Sequence, residues 1–448
     1  MLFVLLSSLL LGCSQKSEEP WRYLFDGESL DGWNKKNGGS EYYVENGAIV
    51  GKALYYDLNQ NTFLCTDSLY DDFIVEFDFK LDGDLNSGFQ FRSLSIPEFH
   101  NGRVHGYQME IDPSGNGTGG IFDEARRTWL HRLEGMEKAK NAYKHLEWNK
   151  ARIEAIGNNI KVWINDIPTA HLEDNMTRKG FFGLQVHKIK DKALEGITVR
   201  WKDIRIITDN LDKYARETPL PVKNHYNQIS EREKEKGWEL LWDGKTTNGW
   251  ISGDNDHFPE KGWEIQNGML TVKESGGDES DFGGDIITVD KYSDFVLRLS
   301  FRLTPGANSG IKYFVQPELN QGKGSDIGLE YQILDDERHP DAKKGNQPGS
   351  RTLASLYDLI KAEDRHMRPI GEWNYAKIVS RGNHVEHWLN GYPVLKYKRG
   401  SDEFKRLVSE SKYAKWENFG LWKEGHILLQ DHGNKVSYRN IMIKDFSK

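Results

Sequence analysis

The chain carries the same pattern twice. "YLFDGESLDGW" (Tyr23 to Trp33) matches "LLWDGKTTNGW" (Leu240 to Trp250), and "VENGAIVG" (Val44 to Gly51) matches "IQNGMLTV" (Ile265 to Val272). "DDFIVEFDFKLDGDLNSGFQFR" (Asp71 to Arg92) matches "SDFVLRLSFRLTPGANSGIKYF" (Ser293 to Phe314). "EWNKARIEAIGNNIKVWIND" (Glu147 to Asp166) matches "EWNYAKIVSRGNHVEHWLNG" (Glu372 to Gly391), and "FGLQVHKI" (Phe182 to Ile189) matches "ILLQDHGN" (Ile427 to Asn434). The pairs fall in one order along both halves, so a single domain has been duplicated.

Each half alternates with period two. Phe295, Leu297, Leu299, Phe301 and Leu303 share one face, and Arg298, Ser300 and Arg302 share the other. Phe73, Val75, Phe77, Phe79 and Leu81 do the same in the first half. Such strands bury one face and leave the other for solvent or ligand. "ENG", "QNG" and "RGN" supply the turns. The 44 glycines, against only 13 prolines, favour strands and tight turns over long helices. The expected fold is therefore all-β, with an antiparallel two-sheet sandwich in each half. The expected organisation is a signal peptide and tether over 1–20, a first domain over 21–208, a linker over 209–236 and a second domain over 237–448. Prolines close the first unit, and the charged run from about Asn224 reads as a short solvated helix.

The 60 basic and 68 acidic residues are interspersed and leave a net charge of -8. No basic stripe appears, which argues against nucleic acid as a partner. The opening "MLFVLLSSLLLGCSQKSEEP" has an apolar run too short to span a bilayer. "LLGC" resembles the bacterial lipobox, which implies cleavage before Cys13 and acylation of its sulfur. No Lys or Arg precedes the run, and an ordinary signal peptide is the alternative. The expectation is a bacterial envelope lipoprotein, periplasmic or on the outer-membrane surface, that meets the membrane only through its lipid. "KSEEP" resembles the surface-export tags of Bacteroidetes lipoproteins. With Cys13 acylated, Cys65 has no intrachain disulfide partner and reads as a small buried residue.

Several segments break the apolar pattern with hydrogen-bonding side chains. Near the C-terminus, Leu428, Gln430 and His432 share a face, while Asp431 points away or into the turn. Glu330 and Gln332 share a face in "GLEYQILDD", and alternation puts Lys312 beside Phe314 in "NSGIKYF". "SLYDLI" adds Tyr357 and Asp358. A face of Lys, Glu, Gln and His suits a polar ligand. His384 and His387 face opposite sides of a strand and make a poor metal pair. "GDNDHF" and "GGDESDFGGD" are acidic loops without EF-hand spacing, so Ca²⁺ has no support and no cofactor is expected. Trp373 and Trp388 read as core residues rather than sugar platforms.

Together with the "WDG" opening, "NSGI", "EYQILDD", "LYD", "EWN", "WLNG" and "LQDHG" resemble the 3-keto-disaccharide hydrolase family. The resemblance implies concanavalin-like jelly rolls, here two in tandem joined by a short helical linker. It implies action on glycosides already oxidised to a ketone at C3, with Glu330, Gln332, Asp335 and His432 in the site. A separate glycoside 3-oxidoreductase would supply the ketone, because no GxGxxG sits between a strand and a helix here. The family often has Arg at the position of Phe314, and Lys312 is the candidate to replace its charge.

A C3 ketone acidifies the C2 proton and makes the C1 oxygen a β leaving group. Elimination needs a base, a donor or cation at the ketone oxygen and an acid at the leaving oxygen; water then adds to the enone. His432 or Glu330 is the candidate base. Lys312 and Gln332 are candidates for the oxyanion, and Asp335 for acid, base or orienting partner. Gln430, Tyr357 and Asp358 complete the expected substrate contacts. The first copy keeps Arg92, Gln108, Glu110, Gln185 and His187 as a candidate second, altered site. The alternatives are a non-catalytic carbohydrate-binding surface lipoprotein and a glycosidase using Glu330 and Asp335 as two carboxylates.

Overall fold

Two antiparallel sandwiches account for nearly all regular structure in a computed structural model that describes residues 20–57, 60–276, 283–319 and 325–447. Cys13 and the whole apolar leader lie outside the described residues, as does most of "GGDESDFGGD". Among the described residues no helix is long and apolar enough to cross a membrane.

The first copy pairs a nine-stranded sheet with a seven-stranded one, and the second pairs an eight-stranded sheet with a five-stranded one. The alternation seen in the sequence explains the packing. Phe295, Leu297, Leu299, Phe301 and Leu303 all enter the second core, where they meet Ile311, Tyr313, Leu329 and Tyr331 from the smaller sheet. Phe73, Val75, Phe77, Phe79 and Leu81 do the same in the first. Burying a Leu, Val or Phe side chain stabilises by about 1.5–3 kcal/mol, so these facing rows hold each sandwich shut.

The other face of the strand Phe295–Leu303 is not left to solvent. The first copy covers it. Arg298, Ser300, Tyr375 and Met442 share a space of about 280 Å³ with Arg127, Trp129 and Met176 of the first copy. Arg178 reaches across to Glu372 at 3.1 Å, and Arg368 donates to Asn175 O at 2.8 Å. The linker is part of this packing. Lys223–Asn224 adds a short parallel strand to the first copy's larger sheet. The helix Glu231–Glu235 has a capping box in which Ser230 and Glu233 serve each other's backbone amides. Glu233 is buried and pairs with Arg298, so the helix is anchored rather than solvated.

The five-stranded sheet runs Trp250–Ser252, Ile286–Thr288, His426–Leu429, Asn308–Gln316, Ile327–Leu334. Its last strand is an edge, and an unpaired edge invites another chain. Here the chain's own loop closes it. Ala354 N donates to Gln332 O at 2.8 Å, Gln332 N to Ser355 O at 3.1 Å and Tyr357 N to Glu330 O at 3.0 Å. The two copies differ most in one connection. Residues 174–180 join the strands Ile167–Glu173 and Phe181–Val186 in the first copy. Residues 399–425 join the matching strands in the second and include the helix Asp402–Ser409.

Candidate active site

A cleft of about 860 Å³ opens over the five-stranded sheet of the second copy. Its floor carries Asn308, Lys312, Glu330, Gln332 and Gln430, with His432 at one end. The register explains the grouping. Lys312 lies directly opposite Glu330, and Gly310 opposite Gln332, on neighbouring antiparallel strands. Lys312 Nζ stands 3.9 Å from Glu330 Oε2. The Gln332 amide, oriented to satisfy both its ends, donates to Glu330 Oε1 at 2.9 Å and to Ser309 O at 3.2 Å. Lys312, Glu330, Gln332 and Gln430 are nearly or fully buried, so their charges and dipoles act through protein more than through water.

The polar break after Leu429 divides by direction. Gln430 N donates to Gly310 O at 3.0 Å, which continues the ladder and presents its side chain to the cleft. Asp431 turns away. Its Oδ1 accepts from Gly433 N at 3.0 Å and its Oδ2 from Gly284 N at 3.1 Å. Burial raises the Asp431 pKa and the nearby Asp285 adds to the rise, against those amides. The chain then brings His432 back to the cleft, where its ring meets His339 edge-on at 5.8 Å.

The walls come from two segments not singled out in the sequence. One is the turn around Pro340–Lys343, which brings His339, Asp341 and Lys344. His339 Nδ1 accepts from Asp341 N at 3.2 Å, so the neutral ring carries its proton on Nε2. Burial, with His432 second, lowers the His339 pKa and keeps that ring neutral at pH 7. Tyr357 donates to Asp341 Oδ2 at 2.8 Å, and Arg351 donates to Asp341 Oδ1 at 2.9 Å. Burial works to raise the Asp341 pKa, but the Tyr357 hydroxyl and Arg351 outweigh it and hold the carboxyl ionised. The other wall is the 399–425 connection, which supplies Lys412, Tyr413, Lys415 and Trp416. Burial lowers the Lys412 pKa, opposed by Glu330 and aided by Lys312.

Four expectations need correction. Asp335 does not line the cleft. It is fully buried and accepts from Gly306 N at 2.7 Å, Glu337 N at 3.2 Å and Arg338 Nη1 at 3.1 Å, as the anchor of a turn. Glu330 and Asp335 therefore do not face one another across a cleft. Asp358 is also off the lining. It accepts from Arg351 Nε at 2.7 Å and from Lys412 N at 3.4 Å, and acts on the site through these two residues. Phe314 does not share the face of Lys312. Its φ of 54° and the register shift between Tyr313 and Gln316 make a bulge that turns the ring into the core. Arg399 lies over that ring at 3.7 Å. Arg92 occupies the same bulged position in the first copy, with φ 46°, and is buried in the same sense. It donates to Asp71 O, Gly157 O, Ala155 O and Asp72 Oδ1, so it is a structural clamp and not a site residue. An arginine at this position serves the core, and Lys312 is not its replacement.

Gln108, Glu110 and Gln185 do come together in the first copy, but they satisfy one another. Gln90 Nε2 and Gln185 Nε2 donate to Gln108 Oε1 at 2.6 and 2.9 Å. Gln108 Nε2 donates to Glu110 Oε2 at 2.8 Å, and Asn86 donates to Glu110 Oε1 at 2.6 Å. The ladder aligns Gln90 with Lys312, Gln108 with Glu330 and Glu110 with Gln332. The first copy thus has Gln90 where the second has the Lys312 ammonium, and its carboxylate stands at the position of Gln332. Burial pushes the Glu110 carboxyl up to about 7. His187 Nδ1 bonds the Lys188 carbonyl at 2.8 Å.

Among the other residues weighed in the sequence, His384 is exposed and His387 fully buried, where its Nδ1 bonds Ala354 O at 2.8 Å. Trp373 and Trp388 lie under Arg302 and Lys377, not in the cleft. Cys65 is buried, and burial raises its thiol pKa, which makes it inert. Among the described residues no group of three or more His, Cys, Asp or Glu is placed to hold a metal ion.

The fold and the site define a protein of tandem jelly rolls with a cleft of polar and proton-handling groups over the smaller sheet of the second copy. The 3-keto-alpha-glucoside-1,2-lyase-like domain matches residues 20–207 and again residues 237–444, and the chain belongs to that family as two tandem copies. A 3-keto-disaccharide hydrolase of Bacteroides thetaiotaomicron is 38% identical over 228 residues, which cover 46% of this chain and 78% of that protein. A crystal structure from Parabacteroides distasonis, described as a glycosyl hydrolase, is 29% identical over 49% of this chain and 99% of its own, with a TM-score of 0.44. A second from the same organism is 24% identical over 47% of this chain and 99% of its own, with a TM-score of 0.36.

Proposed function

We propose that the C-terminal cleft cleaves 3-keto-glycosides by elimination and hydration. The observation that carries this reading is the Lys312–Glu330 pair, 3.9 Å apart and buried on one floor. A base and a cation at that spacing suit two neighbouring positions on one sugar ring, the C2 hydrogen and the C3 carbonyl oxygen. Glu330 takes the C2 proton, and the C–H electron pair becomes an enolate on the C3 oxygen. Lys312 stabilises that oxyanion, while the Gln332 amide holds the Glu330 carboxylate in place. The enolate then collapses, C1=C2 forms and the C1–O bond breaks. His432 gives the leaving oxygen its proton. Water adds to C1 and a proton returns to C2, which gives a free 3-keto sugar and completes a net hydrolysis.

The family membership and the name of the Bacteroides relative support a 3-keto substrate. The first copy is read as a buttress that covers the larger sheet of the second. The ketone is read as coming from a separate glycoside 3-oxidoreductase. Acylation at Cys13 and an envelope location stand as proposals from the sequence.

Incubation of the protein with a glucoside and with its 3-keto derivative tests the reading. Product from the ketone alone is expected. Cleavage of the plain glucoside, or tight binding without turnover of either, would overturn it.

A further inference from the structure

Lys312 is held from behind by groups outside the cleft's own reacting set. Its Nζ donates to Ser325 Oγ and, at 2.9 Å, to Asp326 O. Ser325 Oγ in turn donates to Asp285 Oδ2. Asp285 Oδ1 accepts from Asp431 N at 2.8 Å, which fixes the carboxylate in place. We propose that Asp285 is a positioning residue of this site, holding the Lys312 ammonium through the Ser325 hydroxyl so that its third proton faces the substrate oxygen. This rests on the reading of Lys312 as the cation at the ketone oxygen.

The proton count supports the assignment. An ammonium has three donors and no acceptor. Two are directed to Ser325 and Asp326. Glu330 Oε2 lies 3.9 Å away, beyond a direct hydrogen bond, so a substrate oxygen can approach the third. Lys312 is nearly buried, where a lone charge would be costly. Asp285 supplies a counter-charge one hydroxyl away without occupying the cleft.

The duplicated copy provides an internal comparison. Ile286 pairs with Leu429 as Leu64 pairs with Leu184, which aligns Asp285 with Phe63. The adjacent ladder aligns Asp326 with Val104 and Lys312 with Gln90. In the first copy Phe63 and Val104 pack together with Cys65 and Phe181 as a small apolar cluster. Where the lysine is gone, the acid behind it is gone too. A carboxylate kept only to shape the sheet would not follow the lysine in this way.

Asp285→Asn keeps an acceptor for Asp431 N and removes the charge. Trace acetylation with acetic anhydride at fixed pH, read by mass spectrometry against Lys344, reports how firmly Lys312 is held as an ammonium. Labelling of Lys312 is expected to rise roughly tenfold in the variant, the effect of losing one nearby opposite charge. With a 3-keto-glucoside, kcat is expected to fall about 10–100-fold with KM little changed. Ser325→Ala should move both readouts in the same direction, and it carries the test if Asp285→Asn does not fold. Unchanged labelling, with or without a fall in kcat, would overturn the proposal, since a merely structural acid leaves Lys312 as it was. If the wild type turns over no 3-keto-glycoside, the proposed function fails on its own, and the labelling still decides whether Asp285 holds Lys312.

Discussion

Gly310 and Glu330 fit together only because Gly310 has no side chain. A Cβ at Gly310 would lie 2.4 Å from Glu330 Oε1 and 2.9 Å from its Cδ. The glutamate lies across the neighbouring strand's backbone, which is how it reaches the cleft floor. The first copy repeats the arrangement, with a Cβ at Gly88 falling 2.3 Å from Gln108 Cδ. Gly310→Ala is therefore expected to push the carboxylate aside. The stability cost should be about 1–3 kcal/mol, and turnover should fall more than the melting temperature suggests. Paired measurements of kcat and Tm check this, and a variant with full kcat would show that the position of this carboxylate is not critical.

The two copies should respond differently to the same change. Glu330→Gln removes the proposed base and keeps its shape, so turnover of a 3-keto-glucoside should fall by ~10²–10⁴-fold. Glu110→Gln in the first copy should leave turnover intact, because that carboxyl is occupied by Asn86 and Gln108. Steady-state kinetics on both variants locates the chemistry. A loss of similar size in each would mean that both copies work.

Glu110→Gln should also change how stability depends on pH. Burial raises its pKa to about 7 from an unfolded value of 4.5, so between these values the folded chain binds more protons than the unfolded one. Stability from this group is then present below pH 4.5 and is lost as pH rises through 7. The full swing is about 3–4 kcal/mol. His105 and His131, depressed by burial to about 3 and about 4, act in the opposite direction in the same copy, so the difference between wild type and variant is the quantity to follow. Urea unfolding from pH 4.5 to 8 should show Glu110→Gln gaining on the wild type as pH rises. A constant difference would mean that Glu110 is ionised throughout.

Much of the fold is legible in the sequence. The duplication and the period-two rows gave both sandwiches, because alternation fixes which face of a strand is buried. It also placed Lys312, Glu330, Gln332, Gln430 and His432 on faces that turned out to line one cleft. The rule failed where the backbone breaks it. Phe314 and Arg92 sit at bulges with positive φ, and nothing in their residue type signals this conformation. Asp335 and Asp358 failed for another reason: a carboxylate in a loop binds whichever amides and guanidinium the turn brings, as Gly306 N and Arg351 show. Asp341, Lys412 and Trp416 come from irregular connections with no periodicity to read. For Lys412 and Trp416 the one sequence signal is the longer connection that follows Lys398, against the short one that follows Glu173 in the first copy.

Arg92 is built into the first sandwich as a structural clamp. Its guanidinium is fully buried and donates to three backbone carbonyls and to Asp72, joining the strands Phe73–Leu81 and Asn149–Ile156 at one end of the first sandwich. The second copy solves the same problem with two residues. Phe314 fills the space, and Arg399 donates to Gly382 O at 3.2 Å, where Arg92 donates to the matching Gly157 O at 2.9 Å. Arg92→Leu removes all these donors and leaves the acceptors unpaired, which should cost about 3–5 kcal/mol. A site residue would instead cost turnover and little stability. Below the melting temperature of the variant, kcat on a 3-keto-glucoside should match the wild type, while the first transition in calorimetry moves down. A stable Arg92→Leu protein with lost turnover would return Arg92 to the list of functional residues and give the first copy a direct part in the reaction.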